Sequence, residues 1–151
     1  MCSSDLLTSL GNDKKIIRIF SSPTPFNSVL WRVVVLQKEN YLEGYYSLLH
    51  PKQMINFNTV AINQELLEHG KTIPAVKRLE WFAQGFNKYS IVDDNLVMSD
   101  LRMGFEGNYV FNHAVAKIGN RHWYEIKSKR MPSQLDIEDL SFVWKKLLEE
   151  P

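Results

Sequence analysis

Cysteine is almost absent from this sequence, because Cys2 is the only one among its 151 residues. An intrachain disulfide needs two cysteines, so none can form, and a cysteine-rich zinc site cannot be built either. Cys2 lies close to the start of the chain, but the basic stretch and apolar run of a lipoprotein signal are missing. We therefore interpret Cys2 as a thiol without a lipid attached.

Long apolar runs and an imbalance of charge are missing too. The longest nearly unbroken apolar run covers residues 33–36 and their neighbours, far short of the roughly 20 residues that span a bilayer. The 18 basic and 17 acidic residues give a formal net charge of +1, which provides no long-range attraction to nucleic acid or anionic lipid. Lys127, Lys129 and Arg130 form a basic cluster no larger than that of an ordinary solvated loop. We predict a chain that is soluble as written and does not bind nucleic acid.

Motifs for metal binding and nucleophilic catalysis are not found either. No histidine shares helical ligand spacing with another His, Asp or Glu. His113 alternates with apolar residues, which is typical of a partly buried core histidine. A G-x-S-x-G elbow is absent, and Gly104 and Gly107 lack the strand-to-helix context of a phosphate-binding loop. We expect no metal in this chain. The four histidines considered are His50, His69, His113 and His122.

Most of the sequence alternates in the manner of β-strands separated by short polar turns. Before the midpoint, strands are predicted at 15–20, 28–37, 41–49 and, more weakly, 54–60, and the prolines of 21–27 favour a turn there. After it, strands are predicted at 88–92, 95–104, 109–118 and 121–128, with a hairpin turn at 119–120.

The hydrophobic period becomes helical in three places. Asn63 is suited to cap a short helix ended by Gly70, and Pro74 lies at the start of a second helix with apolar residues at three- and four-residue spacing. Residues 4–10 form a helical stub, and a capping box at 133–136 precedes a C-terminal helix. The pattern predicts an α+β fold, mainly antiparallel sheet, with two helices inserted midway and one C-terminal helix. Residues 1–13 would be the stub or a connecting segment, and 14–151 a single domain.

Charged residues interrupt the apolar strands, and an isolated buried charge is costly. Such charges should therefore be paired or face solvent. They could form a small-ligand pocket, a structural salt-bridge network, or the solvated face of a one-sided sheet. The residues that could converge are Arg32, Glu43, Asp100 and Arg102, lined by Tyr45 and Trp31.

Aromatic residues of the second predicted helix need a separate interpretation. Phe82 and Phe86 fit a helix face that packs on the sheet, in line with Val76 and Leu79. Trp81 lies off that line, which makes it the candidate for the rim of a cleft or for contact with a partner.

Four blocks of the sequence resemble a known family. They are residues 23–35 (PTPFNSVLWRVVV), 41–49, 75–86 and 97–116, and together they cover most of 16–116 in order. The chain is similar to the soluble C-terminal domain of bacterial membrane-bound metal-dependent hydrolases, inner-membrane-associated proteins with a reported connection to LexA binding. The positions that match the family's motifs are Pro23, Pro25, Asn27, Trp31, Arg32, Glu43, Tyr45, Trp81, Asp100 and Arg102.

The resemblance implies an accessory role. In that family the metal ligands, mainly His and Asp, lie in an N-terminal membrane portion that has no counterpart here, so a divalent metal belongs to the parent and no cofactor to this chain. It implies a binding or regulatory domain without its own catalytic centre, associated with the inner membrane through the missing portion, whose partner is that portion or another protein. The alternative is a metal-independent hydrolase or small-ligand-binding enzyme. It would use Asp100 or Glu43 as acid or base and Arg32 or Arg102 to hold an anionic substrate.

Overall fold

The computed structural model describes residues 16–24, 28–49, 54–119, 122–132 and 141. The predicted N-terminal stub and capping box lie outside these residues, as do Pro25, Asn27 and His50. The predicted C-terminal helix also lies outside them, except for the helical residue Ser141. The chain divides into two compact units, Met1–Ala61 with Asp136–Pro151, and Ile62–Leu135. We call these unit 1 and unit 2, and the single domain predicted over 14–151 stays a prediction.

Unit 1 contains a four-stranded antiparallel sheet in which neighbours in sequence are neighbours in the sheet. This meander was predicted from the succession of β-rich runs. A bulge interrupts β1 near its start. The strands are β1 (Ile16–Pro23), β2 (Leu30–Gln37), β3 (Asn40–Ser47) and β4 (Phe57–Ala61).

Strands β2 and β3 are buried along nearly their whole length. One face packs Val33, Val35 and Leu42 against Ile55. The backbone of β3 passes so close to Ile55 that a Cβ on Gly44 would lie 2.5 Å from its methyl carbon. This close packing requires glycine at that position.

The turn predicted over residues 21–27 is wrong for its first part, because β1 continues through Pro23. Pro23 is opposite Trp31 in the register of β1 and β2. Proline is tolerated there because β1 is the outer strand of the sheet and Pro23 is its last residue.

Unit 2 begins with two helices, α1 (Gln64–Thr72) and α2 (Pro74–Ala83). The side chain of Asn63 accepts a hydrogen bond from the Leu66 amide, and Pro74 occupies the first turn of α2. Both predicted starts are therefore confirmed, because these residues satisfy or remove the unpaired amides of a helix N-terminus. Gly70 does not end α1, which continues to Thr72, and Phe86 lies beyond the end of α2.

The strands of unit 2 form an antiparallel sheet in the order β10-β9-β6-β5, with a separate β7–β8 hairpin. A tight turn connects β5 to β6 as predicted, and after β9 the Gly119 amide donates to the His122 carbonyl at 2.8 Å. Asn120 of the predicted β9–β10 turn lies outside the described residues. The run predicted as one strand from 95 to 104 ends at Asp100, and the run from 109 to 118 divides into β8 and β9. The strands are β5 (Asn87–Val92), β6 (Asn95–Asp100), β7 (Gly104–Phe105), β8 (Asn108–Tyr109), β9 (Asn112–Ile118) and β10 (Trp123–Met131).

The helices pack on one side of this sheet. Leu66 and Val76 of the helices join Tyr89, Leu96 and Val115 of the sheet in one buried cluster. The described chain is thus α+β, mostly antiparallel sheet with two helices, as the hydrophobic periods predicted.

Candidate functional site

In unit 1 the predicted charged residues form a buried pair on adjacent strands. Nε of Arg32 on β2 lies 2.5 Å from Oε1 of Glu43 on β3, and the two side chains are only 4% and 6% exposed. The hydroxyl of Tyr45 donates to the same Glu43 oxygen at 3.2 Å. Burial, followed by the negative charge of Glu43, raises the pKa of Tyr45 well above its usual value of 10.0. Tyr45 therefore stays protonated and acts as a donor.

The surroundings of this pair favour a structural role. A solvated sheet face does not fit Arg32 and Glu43, because both are buried. The carboxylate of Glu43 receives hydrogen bonds from the guanidinium and from a phenol, which offsets the cost of burying its charge. Trp31, next to Arg32, donates from its indole nitrogen to the Ser28 carbonyl at 3.0 Å and so fastens the entry to β2.

In unit 2 the pair Asp100 and Arg102 lies where β6 ends and turns. The Arg102 amide and Nε both donate to Oδ1 of Asp100, at 2.9 and 3.0 Å, and Nη2 donates to Oδ2 at 2.7 Å. Hydrogen bonding to Asp100 raises the pKa of Arg102 above its ordinary value. Both residues were predicted to lie within one strand, over residues 95–104. They meet instead because the chain turns directly after Asp100.

Arg102 also fastens the end of helix α2. Its Nη2 donates to the carbonyl of Phe82 at 2.7 Å, and its guanidinium lies 5.3 Å from the centroid of the Phe82 ring. The carbonyls of the last helical turn have no partner within the helix, and cations are favourable there. Gln84 ends the helix in the left-handed conformation, with φ of 52°. The Asp100–Arg102 pair thus positions the C-terminal turn of α2.

The four residues predicted to converge are therefore two pairs, one within each unit. Arg32 meets Glu43 and Tyr45 in unit 1, and Asp100 meets Arg102 in unit 2. A common pocket for all four stays a prediction.

The C-terminal turn of α2 carries an exposed aromatic surface, which we define as Trp81 and Phe82. Trp81 is 80% exposed, and Phe82, predicted in the core, is 53% exposed. Phe82 makes an edge-to-face contact with Phe111, with ring centroids 6.1 Å apart. The Phe82 prediction is wrong because the buried side of α2 is formed by Val76 and Ala83, and Phe82 lies about 100° from Ala83 around the helix.

Cations lie one helical turn before these aromatic residues. Lys77 precedes Trp81 by four residues and Arg78 precedes Phe82 by four, and all four residues are exposed. Residues four apart are neighbours on a helix surface. This exposed side of α2 therefore combines two aromatic rings with two positive charges. The regular spacing was readable in the sequence, but only the position of the core shows that it faces outward.

A polar cleft lies on unit 2 beside the β7–β8 hairpin, with a volume of about 280 Å³. Nζ of Lys88 binds both carboxylate oxygens of Glu106, at 2.6 and 2.8 Å, and the Tyr109 hydroxyl donates to Glu106 at 2.9 Å. Ser99 donates to Asn112 at 2.7 Å. These polar groups are hydrogen-bonded to one another and fasten the hairpin to the sheet.

Metal binding, membrane-spanning helices and similarity to known proteins bear on the chain as well as on these sites. Within residues 16–24, 28–49, 54–119, 122–132 and 141, no group of three or more His, Cys, Asp or Glu side chains is arranged to hold a metal ion. No helix in the same residues has the length and apolar character needed to cross a bilayer. Comparison of the chain with protein-family models, with curated proteins and with solved structures found no match in any of the three.

Proposed function

We propose that this chain is an accessory domain that binds a partner protein through the aromatic surface of α2 and has no catalytic centre of its own. The observation that carries the proposal is Trp81, a large side chain that is 80% exposed beside the half-exposed Phe82. Aromatic residues and arginine are enriched in protein interfaces, and Trp and Arg are among the residues that dominate their hot spots. The aromatic surface and its neighbour Arg78 have this composition.

The placement of the surface supports the proposal further. Phe82 makes an edge-to-face contact with Phe111, and the guanidinium of Arg102 lies over its ring. The ring is therefore already oriented in the absence of a partner. A preorganised surface loses less conformational entropy on binding than a mobile one. Trp81 is the neighbouring residue on the same helical turn and would be the anchor.

The arrangement of the charged residues favours binding over catalysis. Both oxygens of Asp100 accept hydrogen bonds from Arg102, and Glu43 is buried with Arg32 and Tyr45. A general base must reach the proton that it removes, and a carboxylate already saturated by an arginine is poorly placed to do so. The alternative of an Arg/Asp/Glu enzyme would require these pairs to open.

The resemblance to membrane-bound metal-dependent hydrolases supports the same role. An accessory domain of such a protein would bind the membrane portion of its own parent or a separate protein, and it would be held at the inner membrane through the parent. The divalent metal and the hydrolytic chemistry would then belong to the parent.

Photo-cross-linking in the native cell tests the proposal. A benzoylphenylalanine is incorporated at position 81 of the full native gene product, and for comparison at position 91. Ile91 is also an exposed apolar residue, at 51%, but it lies on β5 rather than α2. We expect one discrete cross-linked protein from position 81 and none from position 91.

Two outcomes would overturn the proposal. Equal amounts of cross-linked product from positions 81 and 91, or no product from either, would remove the support for a specific binding surface. Turnover by the purified chain in a broad hydrolase screen, with and without divalent metals, would favour the enzyme if it is abolished by Asp100→Asn in a folded variant.

A further inference from the structure

A groove lies between α2 and β10. It has a volume of about 580 Å³, and its lining includes the apolar residues Ala75, Leu79 and Ile126. Arg78 lies on the helix side, four residues before Phe82, and residues 125–128 form the strand side. Phe82 also contacts Phe111, and Arg130 of β10 lies 5.1 Å from the centroid of that ring. Packed side chains within unit 2 therefore connect the aromatic surface to β10.

The strand side of the groove has an irregular backbone. β10 advances four residues, from Glu125 to Lys129, while β9 advances two, from Ala116 to Ala114. Such a bulge bends the strand and redirects its side chains. β10 is also the outer strand of its sheet in the described part of the chain. The outer edge of such a strand carries N–H and C=O groups that can pair with a further strand.

The charges around the groove are mostly positive. Arg78 and Lys127 line it together with one carboxylate, from Glu125, and Lys129 and Arg130 follow on β10. Within the described residues, Lys127 and Lys129 form no salt bridge. Bulges and lysines protect an edge strand from pairing with copies of itself, because like charges repel. The same charges attract a strand that carries negative charge. The edge is thus protected from pairing with copies of itself and is selective for an acidic partner strand.

We propose that the β10 edge binds an extended acidic segment of a partner by strand addition, with the apolar side chains of that segment in the α2–β10 groove. This inference rests on the proposed function, since it names the form and charge of the partner. Main-chain hydrogen bonds would give affinity, and alternate side chains would contact Leu79 and Ile126 on one side and the lysines on the other. Trp81 and Phe82 would contact residues beyond the end of the added strand.

The test uses a short, end-capped peptide of alternating Glu and Val, titrated into the ¹⁵N-labelled full chain and followed by amide NMR. We expect saturable shifts confined to β10 and α2, and slowed exchange of amides along β10. The double variant Lys127→Glu/Lys129→Glu should weaken binding at least about tenfold, because it replaces two attractions by two repulsions. A matched variant, Arg18→Glu/Lys38→Glu, changes the net charge equally in unit 1 and should leave binding unchanged.

A second peptide, N-methylated at alternate residues, keeps every side chain but cannot complete the main-chain pairing. Loss of binding by this peptide supports strand addition. Equal binding by both peptides, equal weakening by both double variants, or no shifts at β10 would overturn it. If position 81 cross-links to a partner and the peptide leaves β10 unchanged, only the strand addition fails. If the peptide binds and position 81 gives no cross-link, the proposed contact of the aromatic surface fails instead.

Discussion

At the scale of single residues, the chain pairs its buried charges within short stretches of backbone. Arg32 and Glu43 lie on neighbouring strands, and Asp100 and Arg102 are two residues apart. Burying a lone charge costs several kcal/mol. Each of these charged residues is therefore stable in the interior only together with its partner. The charged residues that most resemble a catalytic cluster in the sequence are therefore explained by their ion pairs in the folded structure.

The first prediction concerns the Arg32–Glu43 pair. Glu43→Gln removes the negative charge and leaves a buried guanidinium, so we expect a loss of about 3–5 kcal/mol in the stability of unit 1. The double variant Arg32→Met/Glu43→Leu should recover most of this loss, because neither charge remains. Urea unfolding together with amide exchange of β2 and β3 measures both. A loss below about 1 kcal/mol for Glu43→Gln, the size expected of an exposed pair, would contradict a buried ion pair.

The second prediction concerns His113, whose ring lies near Ser128 and Arg130. Burial, and then the charge of Arg130, lower the pKa of His113 below 6.5. The folded state thus favours the neutral imidazole, and the unfolded state binds more protons at mildly acidic pH. Stability from this residue is therefore complete above about pH 6.5 and is lost as the pH falls through the folded pKa. We expect His113→Asn to flatten the acid side of the urea-midpoint profile, whereas an unchanged slope would contradict the assignment.

At the scale of secondary-structure elements, helix α2 depends on groups outside its own sequence. The carbonyl of Phe82 is satisfied by Arg102, which is fixed in turn by Asp100. The exposed aromatic surface is therefore positioned by a turn that follows it by twenty residues in sequence.

The third prediction tests this capping. Arg102→Lys keeps the positive charge but loses the planar, multiple hydrogen bonding of the guanidinium. We expect the last turn of α2 to open more often, with amide exchange near residue 84 faster by about tenfold and a stability loss of about 1–2 kcal/mol. Lys77→Arg on the exposed side of the same helix should leave exchange unchanged. Equal exchange in Arg102→Lys and the wild type would show that α2 does not need the cap.

The fourth prediction concerns Gly70 inside α1. Alanine normally stabilises a helix interior by about 1 kcal/mol relative to glycine. Here an added Cβ would lie 2.5 Å from the ring of Tyr89, which is buried and hydrogen-bonded to Glu80. We expect Gly70→Ala to destabilise unit 2 by about 1–3 kcal/mol in urea unfolding. Adding Tyr89→Leu should make the alanine favourable again, and a stabilising single variant would show that the ring moves freely.

The elements show which parts of the fold were readable from sequence. The starts of α1 and α2 were predictable because Asn63 and Pro74 act locally. The end of β6 was not, because Asp100 and Arg102 have the same spacing in a strand and in a turn. Gly70 was wrongly predicted to end α1, because glycine is required there by the close approach of Tyr89, nineteen residues later. The bulge of β10 has no sequence signal of its own, so the groove could not be predicted.

At the scale of the whole molecule, the chain comprises two compact units with different characters. The described strands of unit 1 bury an ion pair between β2 and β3, while unit 2 carries the exposed aromatic surface and the cationic groove.

Binding of a partner through Trp81 is tested most directly by the affinity of the cross-linked partner for the purified full chain and for two folded variants, Trp81→Ala and Ile91→Ala. Both replace an exposed apolar side chain by the same methyl group. We expect Trp81→Ala to weaken binding about thirtyfold or more, as is typical of a hot-spot tryptophan, and Ile91→Ala to leave it unchanged. Equal affinities for the wild type and Trp81→Ala would contradict it.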